Sequence, residues 1–535
     1  MRGFFEKKKL VKKGLACGKT RRKQSKSEIL HRLETDGWVK AMVLLLFTAG
    51  LAGLIFYGQQ ETPAKFFLIS LLILCTAIAQ LWINHPQTFA SNSRLTLIFS
   101  VLLAHLGVCK LIMEIFYEVS KNNEQIIWQL VPILLIPYAF APLVISVLLG
   151  RNHAIFTAIF VSLWSSILFR GIDPSILVLS LISGFISVFV TLQVRRRSRL
   201  IRAGVYVGLA TWLLAMSFGL ISFPFEDLGA TDWQLVGWQS AAAIGSGIIT
   251  AMLVSGALPM LESLFGITTD ISWLEIADLN HPLLRRLSAE APGTYHHSLM
   301  VASLAEAAAE KIQANATLCR VCSYFHDIGK LVKPEYFTEN INEDRNPHDD
   351  LAPSMSALII ISHVKEGVDL ALKHKLNHQI IDIIQQHHGT SLVWYFFKRA
   401  QQQQEDARAG GKIMNMREED IPEVREESFR YPGPKSQFKE AGIISLADSV
   451  ESASRSLVKP TPQKIEQLVG DIIEKRISDG QLDDCDLTLR EIKAIGESFR
   501  FSLQNMLHSR IAYPKDEPKT TARTASVNLP PATAA

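Results

Sequence analysis

The chain changes regime once along its length. From Trp38 to about Phe265, apolar runs of close to twenty residues recur with short polar breaks between them. From Ile267 onward, apolar residues return every three or four positions among charged ones. A run of about twenty apolar residues matches the thickness of bilayer hydrocarbon, whereas the 3.6-residue stripe is the mark of a helix packed on a water-facing core. The runs predict eight spans, at about 38–58, 64–84, 95–117, 126–149, 153–169, 175–194, 201–222 and 236–264, the fifth being the shortest. In the second regime, Ser298–Ile312, Thr317–Ile328, Ser354–Val364, Asn377–His387 and Lys439–Val458 read as helices, and few stretches alternate as strands do. The fold class expected is all-α, a polytopic transmembrane bundle followed by an α-helical domain.

Charge orients the bundle. The net charge is +4, yet ten Lys or Arg residues fall between Arg2 and Lys23. A basic arm of this kind can bind nucleic acid, but just before a span it serves the positive-inside rule and contacts anionic lipid. Arg195-Arg196-Arg197-Ser198-Arg199 is expected on the cytoplasmic side and the acidic Phe225-Glu226-Asp227 outside, so eight spans return the chain to the cytoplasm at Gly266. The organisation expected is a cytoplasmic arm 1–37, a bundle 38–265, a cytoplasmic domain 266–513 and a disordered Pro, Thr and Ala tail 514–535. Ala400–Asp420, with Gln401–Gln404 and Gly410-Gly411, reads as a solvated loop or insertion. Within the third span His105, Lys110 and Glu114 are ionisable groups in hydrocarbon, either a functional cavity or a self-neutralising pair near the outer interface. Gly237, Ala241 and Gly245 form a small-residue stripe suited to close helix packing.

Cysteine chemistry adds little. The six cysteines show no disulfide framework, and Cys319-x-x-Cys322 lies on an apolar helical stretch as buried thiols would. Histidine is different. Ten of the fifteen histidines lie between His281 and His388. His363 and His388 extend apolar stripes, following Ile359 and Ile384 by four, so they point inward. One inward histidine is usually a satisfied core residue. Several, with Asp327 and Asp448, would fill a core with polar groups that need partners, and metal coordination meets that need. The candidate ligands are His297, His326, Asp327, His363, His387, His388 and Asp448, a set large enough for two ions. Nitrogen and oxygen donors without thiolate point to iron, manganese or zinc acting as a Lewis acid. His296 is expected to face away, and His281, His348, His374, His378 and His508 to be surface or loop residues.

The same residues form an ordered pattern. Gly293-Thr294-Tyr295-His296-His297-Ser298, His326-Asp327-Ile328-Gly329-Lys330, Gln386-His387-His388-Gly389-Thr390 and Leu446-Ala447-Asp448 resemble an HDIG-type member of the HD phosphohydrolases. Leu264–Asp270, Asn280-His281-Pro282-Leu283-Leu284 and Tyr431-Pro432-Gly433-Pro434 sharpen the resemblance to the seven-transmembrane HD proteins, a group that includes PgpH-type cyclic-di-AMP phosphodiesterases of bacteria. It covers roughly residues 38–510 and implies one span plus seven. Family members commonly carry a large extracytoplasmic domain after the first span, a place that here holds only Gly58 to Pro63.

What the resemblance implies is a membrane-anchored hydrolase of a cyclic dinucleotide, most of all cyclic di-AMP opened to pApA, at the bacterial inner membrane. His297, His326, Asp327 and Asp448 would hold one divalent metal and His363, His387 and His388 the other, with Asp327 bridging; manganese or iron is expected. Lys330 would neutralise phosphoryl charge, against the alternative of an exposed helix-end lysine, and Thr390 and Arg455 would contact substrate. Cyclic di-GMP is the rival substrate, and a non-catalytic nucleotide receptor the rival class. All seven ligand candidates are present, which favours turnover. The partners implied are the cyclic dinucleotide and membrane lipid, with a homodimer left open and no nucleic-acid polymer.

Overall fold

In the computed structural model the described residues are 33–57, 63–122, 127–168, 174–191, 194–222, 232–341, 346–414, 424–457 and 460–508. The basic arm, the acidic stretch Phe225–Asp227 and the tail beyond Tyr513 lie outside them. The chain divides into two compact units, Met1–Arg285 and Arg286–Ala535. Among the described residues both are helical, with no strand and one isolated bridge between Leu392 and Arg430. The all-α expectation holds.

The first unit is a bundle of α1 (Gly37–Phe56), α2 (Pro63–Asn84), α3 (Asn92–Asn122), α4 (Ile127–Leu135), α5 (Phe140–Leu149), α6 (Arg151–Leu168), α7 (Pro174–Val190), α8 (Arg197–Ser217) and α9 (Trp233–Phe265), followed by the short α10 (Asp270–Ile276). Six of its helical segments are long and apolar enough to cross a membrane, Val131–Leu149 being one of them. Leu45, Leu46, Leu68, Leu72, Met252 and Leu253 project outward. Such a belt of exposed large apolar side chains would be a liability in water and costs nothing against lipid. Inside, Trp164 is fully buried, its ring 5.2 Å from that of Phe47.

Polar groups join the helix ends. Asn92 Nδ2 donates to the carbonyls of Leu33 and Asp36 (2.8 and 2.9 Å), Ser93 Oγ to Glu34 (2.7 Å), and Thr88 Oγ1 lies 2.8 Å from His153 Nε2. The start of α1, the α2–α3 break and the α5–α6 junction therefore share one end of the bundle. Lys110 and Glu114 pair on α3 at 2.8 Å.

Two expectations for this unit need correction. The fourth span is not one helix: it breaks at Ile136–Ala139 into α4 and α5. Pro137 has no N–H to donate and restricts the residue before it, which favours a break here, although Pro132 and Pro259 are accommodated inside α4 and α9. The small-residue stripe Gly237, Ala241 and Gly245 does not pack against another helix among the described residues, where a Cβ on either glycine would meet nothing within 4 Å. The close approach of α9 is instead through Gly247 and Ala251 to Gly204 and Gly208 of α8; a Cβ on Gly204 would stand 2.6 Å from both the Ala251 Cβ and the Gly247 carbonyl oxygen. Both stripes have helical spacing, and only the position of the neighbouring helix selects between them.

The second unit follows α11 (Pro282–Glu290), which crosses the boundary at Arg285. It comprises α12 (Pro292–Lys311), α13 (Ala316–Phe325), α14 (Pro353–Lys373), α15 (His378–Gln386), α16 (Trp394–Met414), α17 (Lys439–Ser454), α18 (Pro462–Ser478) and α19 (Leu489–His508). The expected loop at Ala400–Asp420 is helical as far as Met414. Phe396, Phe397 and Ala400 anchor α16 against Ala357 and Phe429, and the glutamines and Ala407 that follow are good helix formers, so the helix propagates into solvent. Cys319 and Cys322 are fully buried on α13 as expected, and burial pushes both thiols well above their ordinary value. His348, expected to be a surface or loop residue, lies in a turn but is buried: its Nε2 donates to the Tyr336 carbonyl at 2.8 Å and its ring lies 4.9 Å from Phe396.

Candidate metal centre

Five helical elements of the second unit deliver the seven candidate ligands to one place. His297 comes from the middle of α12 and Asp448 from α17. His326-Asp327 follows the last turn of α13, and His387-His388 the last turn of α15. His363 is on α14. Helix ends are useful here because adjacent side chains diverge once the helix stops. Close approach of the His326-Asp327 turn to α14 depends on Gly329, where a Cβ would strike the His363 carbonyl and stand 2.6 Å from the Gly367 amide.

Asp327 lies at the centre. Its Oδ2 is 3.3 Å from His326 Nε2, 3.5 Å from His297 Nε2 and 2.8 Å from Lys330 Nζ. Its Oδ1 is 3.4 Å from His363 Nε2 and 3.6 Å from His387 Nε2. Asp448 spans the same gap, with Oδ1 3.1 Å from His297 Nε2 and Oδ2 3.5 Å from His388 Nδ1. Two donor sets share Asp327: His297 and His326 on one side, His363, His387 and His388 on the other, with the donor atoms of each set within 4.8 Å of one another.

The far nitrogens decide what the near ones can be. Nδ1 of His326, His363 and His387 sits on the carbonyls of Ser323, Ile360 and Ile384, at 2.7, 2.5 and 2.9 Å. Nδ1 of His297 is hydrogen-bonded to the Glu451 carboxylate. A carbonyl or ionised carboxylate only accepts, so each Nδ1 must carry the proton. In the neutral ring the Nε2 lone pair then faces carboxylate oxygens, or, for His363 and His387, another Nε2 at 3.4 Å. Asp327 Oδ1 and His326 Nε2 have no hydrogen-bond partner although both are buried. Lone pairs aimed at one another in a dry core are unfavourable unless a cation lies among them. The residues therefore fit a metal cation, and Asp327 belongs to both donor sets.

Without a cation the two halves of the cluster titrate in opposite directions. Burial opposes charge on His326, but the Asp327 carboxylate outweighs it and pushes the imidazole up to about 10. On the other side burial dominates, drawing His363 down to about 4 and His388 well below its usual range. Burial works against ionisation of Asp327 and Asp448 as well; the facing histidines, and Lys330 for Asp327, reverse it and hold both well below the usual carboxylate range.

Lys330 is not an exposed helix-end residue. It lies in a 3-10 turn (Ile328–Val332), its ammonium clamped between Asp327 and Glu339, the latter at 2.7 Å. Thr390 and Arg455 engage other partners: the Thr390 amide donates to Gln481 Oε1 at 2.9 Å, and Arg455 Nε to Glu451 Oε1 at 2.9 Å. His296 is exposed, turned away from its neighbour. Three residues of the site went unread in the sequence. Glu451 follows Asp448 by three on one helix face, a spacing that could have found it. Glu339 sits in a one-turn 3-10 segment with no periodicity to flag it. Tyr431 lies in a quoted motif, yet its place 4.3 Å from the His388 ring is a tertiary contact.

Comparison with known proteins adds the following. Residues 62–269 match a family described as "7TM receptor with intracellular HD hydrolase", and residues 294–453 match the HD domain. The chain is 35% identical over 471 residues to the cyclic-di-AMP phosphodiesterase PgpH of Bacillus subtilis, covering 87% of this chain and 62% of that one. It is 36% identical over 468 residues to PgpH of Listeria monocytogenes, covering 86% and 60%. The chain thus spans about three fifths of the length of these curated relatives. A crystal structure of the L. monocytogenes PgpH HD domain in complex with cyclic-di-AMP is 45% identical, covering 43% of this chain and 100% of that one, with a TM-score of 0.39.

Proposed function

The chain belongs to the family of seven-transmembrane receptors with an intracellular HD hydrolase, and from that premise we propose that it is a membrane-anchored, metal-dependent phosphodiesterase opening cyclic di-AMP to linear pApA. One observation carries the reading: four imidazoles with Nδ1 committed as donor turn their Nε2 atoms onto two buried carboxylates, one of which has an orphaned oxygen. His297, His326, Asp327 and Asp448 would hold one divalent ion and His363, His387 and His388 a second, with Asp327 between them. Manganese or iron suits this donor set. Bound there, the ions supply Lewis-acid polarisation of the phosphodiester and a nucleophilic water at neutral pH.

The chain's own groups do the rest. Asp327, held by Lys330, keeps one oxygen toward each half of the centre. Lys330, fixed between two carboxylates, places a positive charge where phosphoryl oxygens gain negative charge. The Tyr431 ring packs against His388, 4.3 Å between centroids, and would help to hold its plane. None of these groups reads a base, so adenine as the base is inferred from the relatives named above.

The membrane arrangement proposed is eight spans in a bacterial inner membrane with the HD domain cytoplasmic. Seven of the spans fall within the family match at 62–269, with α4 and α5 counted as one, and α1 precedes it. The common end shared by the start of α1, the α2–α3 break and the α5–α6 junction agrees with alternating spans. A substrate panel tests the function. Detergent-purified protein with Mn2+ should convert cyclic di-AMP to pApA and stop on chelation. Cleavage of cyclic di-GMP alone would overturn the substrate, and nucleotide binding without any turnover would favour a receptor.

A further inference from the structure

His297 differs from the other three imidazoles that turn Nε2 inward in how its proton is placed. His326, His363 and His387 each donate Nδ1–H to a carbonyl three residues earlier, so the local backbone turn sets the tautomer. His297 sits in mid-helix, and its Nδ1 is hydrogen-bonded to a side chain of another element, Glu451 on α17. Glu451 is 5% exposed and stands on the far side of the ring from Asp327 and Asp448, so it is not itself among the converging donors. Arg455, one turn on, holds both of its oxygens: Nε lies 2.9 Å from Oε1 and 3.1 Å from Oε2, and Nη2 lies 2.9 Å from Oε1.

Between two carboxylates, at Nδ1 and Nε2, an isolated imidazole satisfies both only by carrying two protons. A cation at Nε2 removes that need, provided that Nδ1 keeps its proton. We propose that Glu451, held in place by Arg455, is a positioning residue that fixes the ring plane of His297 and keeps its Nε2 free for metal. This deepens, and rests on, the metal-centre reading above. It also gives Arg455 a role through Glu451 rather than on the substrate. Carboxylates that hold the outer nitrogen of a ligating histidine typically matter by 10–100-fold in metal affinity.

The test uses the full-length chain in detergent, stripped of metal and titrated with Co(II), whose visible absorption reports ligand geometry, with bound metal counted by elemental analysis. The wild type should bind two Co(II). E451A should weaken one of the two sites by roughly 10–100-fold and alter its absorption band, leaving the other unchanged. E451Q, which keeps an acceptor for Nδ1–H, should recover most of that affinity. R455M should weaken the same site by less and add nothing in the E451A background, as expected of residues acting in series. Two Co(II) bound by E451A with wild-type affinity and spectrum would overturn the proposal, as would E451Q behaving no better than E451A. A wild type that binds no Co(II) would instead overturn the metal-centre reading and this inference with it. Thermal unfolding in chelator confirms that each variant is folded before titration.

Discussion

Removing the Asp327 carboxylate tests the centre most directly. In Asp327→Ala the oxygens facing four Nε2 atoms and the Lys330 ammonium disappear together. Without metal the loss is that of a buried pair, on the order of 3–5 kcal/mol, moderated because Lys330 keeps Glu339 and because His326, charged through Asp327, can release its proton. With metal the difference is larger. A ligand at a hundred times its Kd stabilises the folded state by about 2.7 kcal/mol per site. In a domain of 150–250 residues each kcal/mol moves the melting temperature by about 2–4 °C, so each occupied site should raise it by roughly 5–11 °C. The assay is thermal unfolding of wild type and variant with chelator and with saturating Mn2+, alongside metal content and cyclic di-AMP turnover. The wild type should show the Mn2+ shift and the variant little or none, with activity lost. An Asp327→Ala chain that keeps two metals and the full thermal shift would refute the assignment of Asp327 as the shared ligand.

Other outcomes are expected. Lys330→Met should keep its metal but lower kcat by roughly 10²–10³-fold if its charge acts on the phosphoryl group, in line with loss of one charge-stabilising donor; unchanged kcat with metal bound would sink that role. Burial opposes ionisation of Glu339, but Lys330 outweighs it and holds the carboxyl at about 2. Its contribution to stability should therefore be complete above the ordinary glutamate range near 4.5 and fade as pH falls toward 2. The stability gap between wild type and Glu339→Gln, measured by denaturant unfolding, should narrow over that interval; a gap independent of pH would contradict the pairing. Gly247→Leu should force α8 and α9 apart and cost on the order of 1–3 kcal/mol as overpacking, read as earlier unfolding in detergent, whereas Gly245→Leu should be nearly silent.

Much of this protein was legible before folding, for identifiable reasons. Apolar run length marks helices able to cross a bilayer, so the helices of the first unit could be placed from hydropathy, six segments among the described residues being long and apolar enough to cross; helical periodicity reports an inward face, so His363 and His388 could be aimed at the core. Features set by what lies opposite a residue were not readable. Gly237, Ala241, Gly245 and the real contact stripe through Gly247 have the same periodicity, and the choice between them was made by α8. Pro137 was visible, yet whether a proline kinks or ends a span depends on its neighbours. The Ala400–Met414 helix was hidden because Gln-rich, Gly-containing polar sequence resembles a loop until Phe396 and Phe397 dock. At the centre, the sequence by itself determined which donors exist and that they lie on separate helices. Only the tertiary structure decided which nitrogen of each ring faces inward, that Asp327 serves both sides, that Lys330 is clamped and that Glu451 stands behind His297. The physical reason is that a tautomer is set by the partner of the opposite ring nitrogen, and for His297 that partner is 154 residues away along the chain.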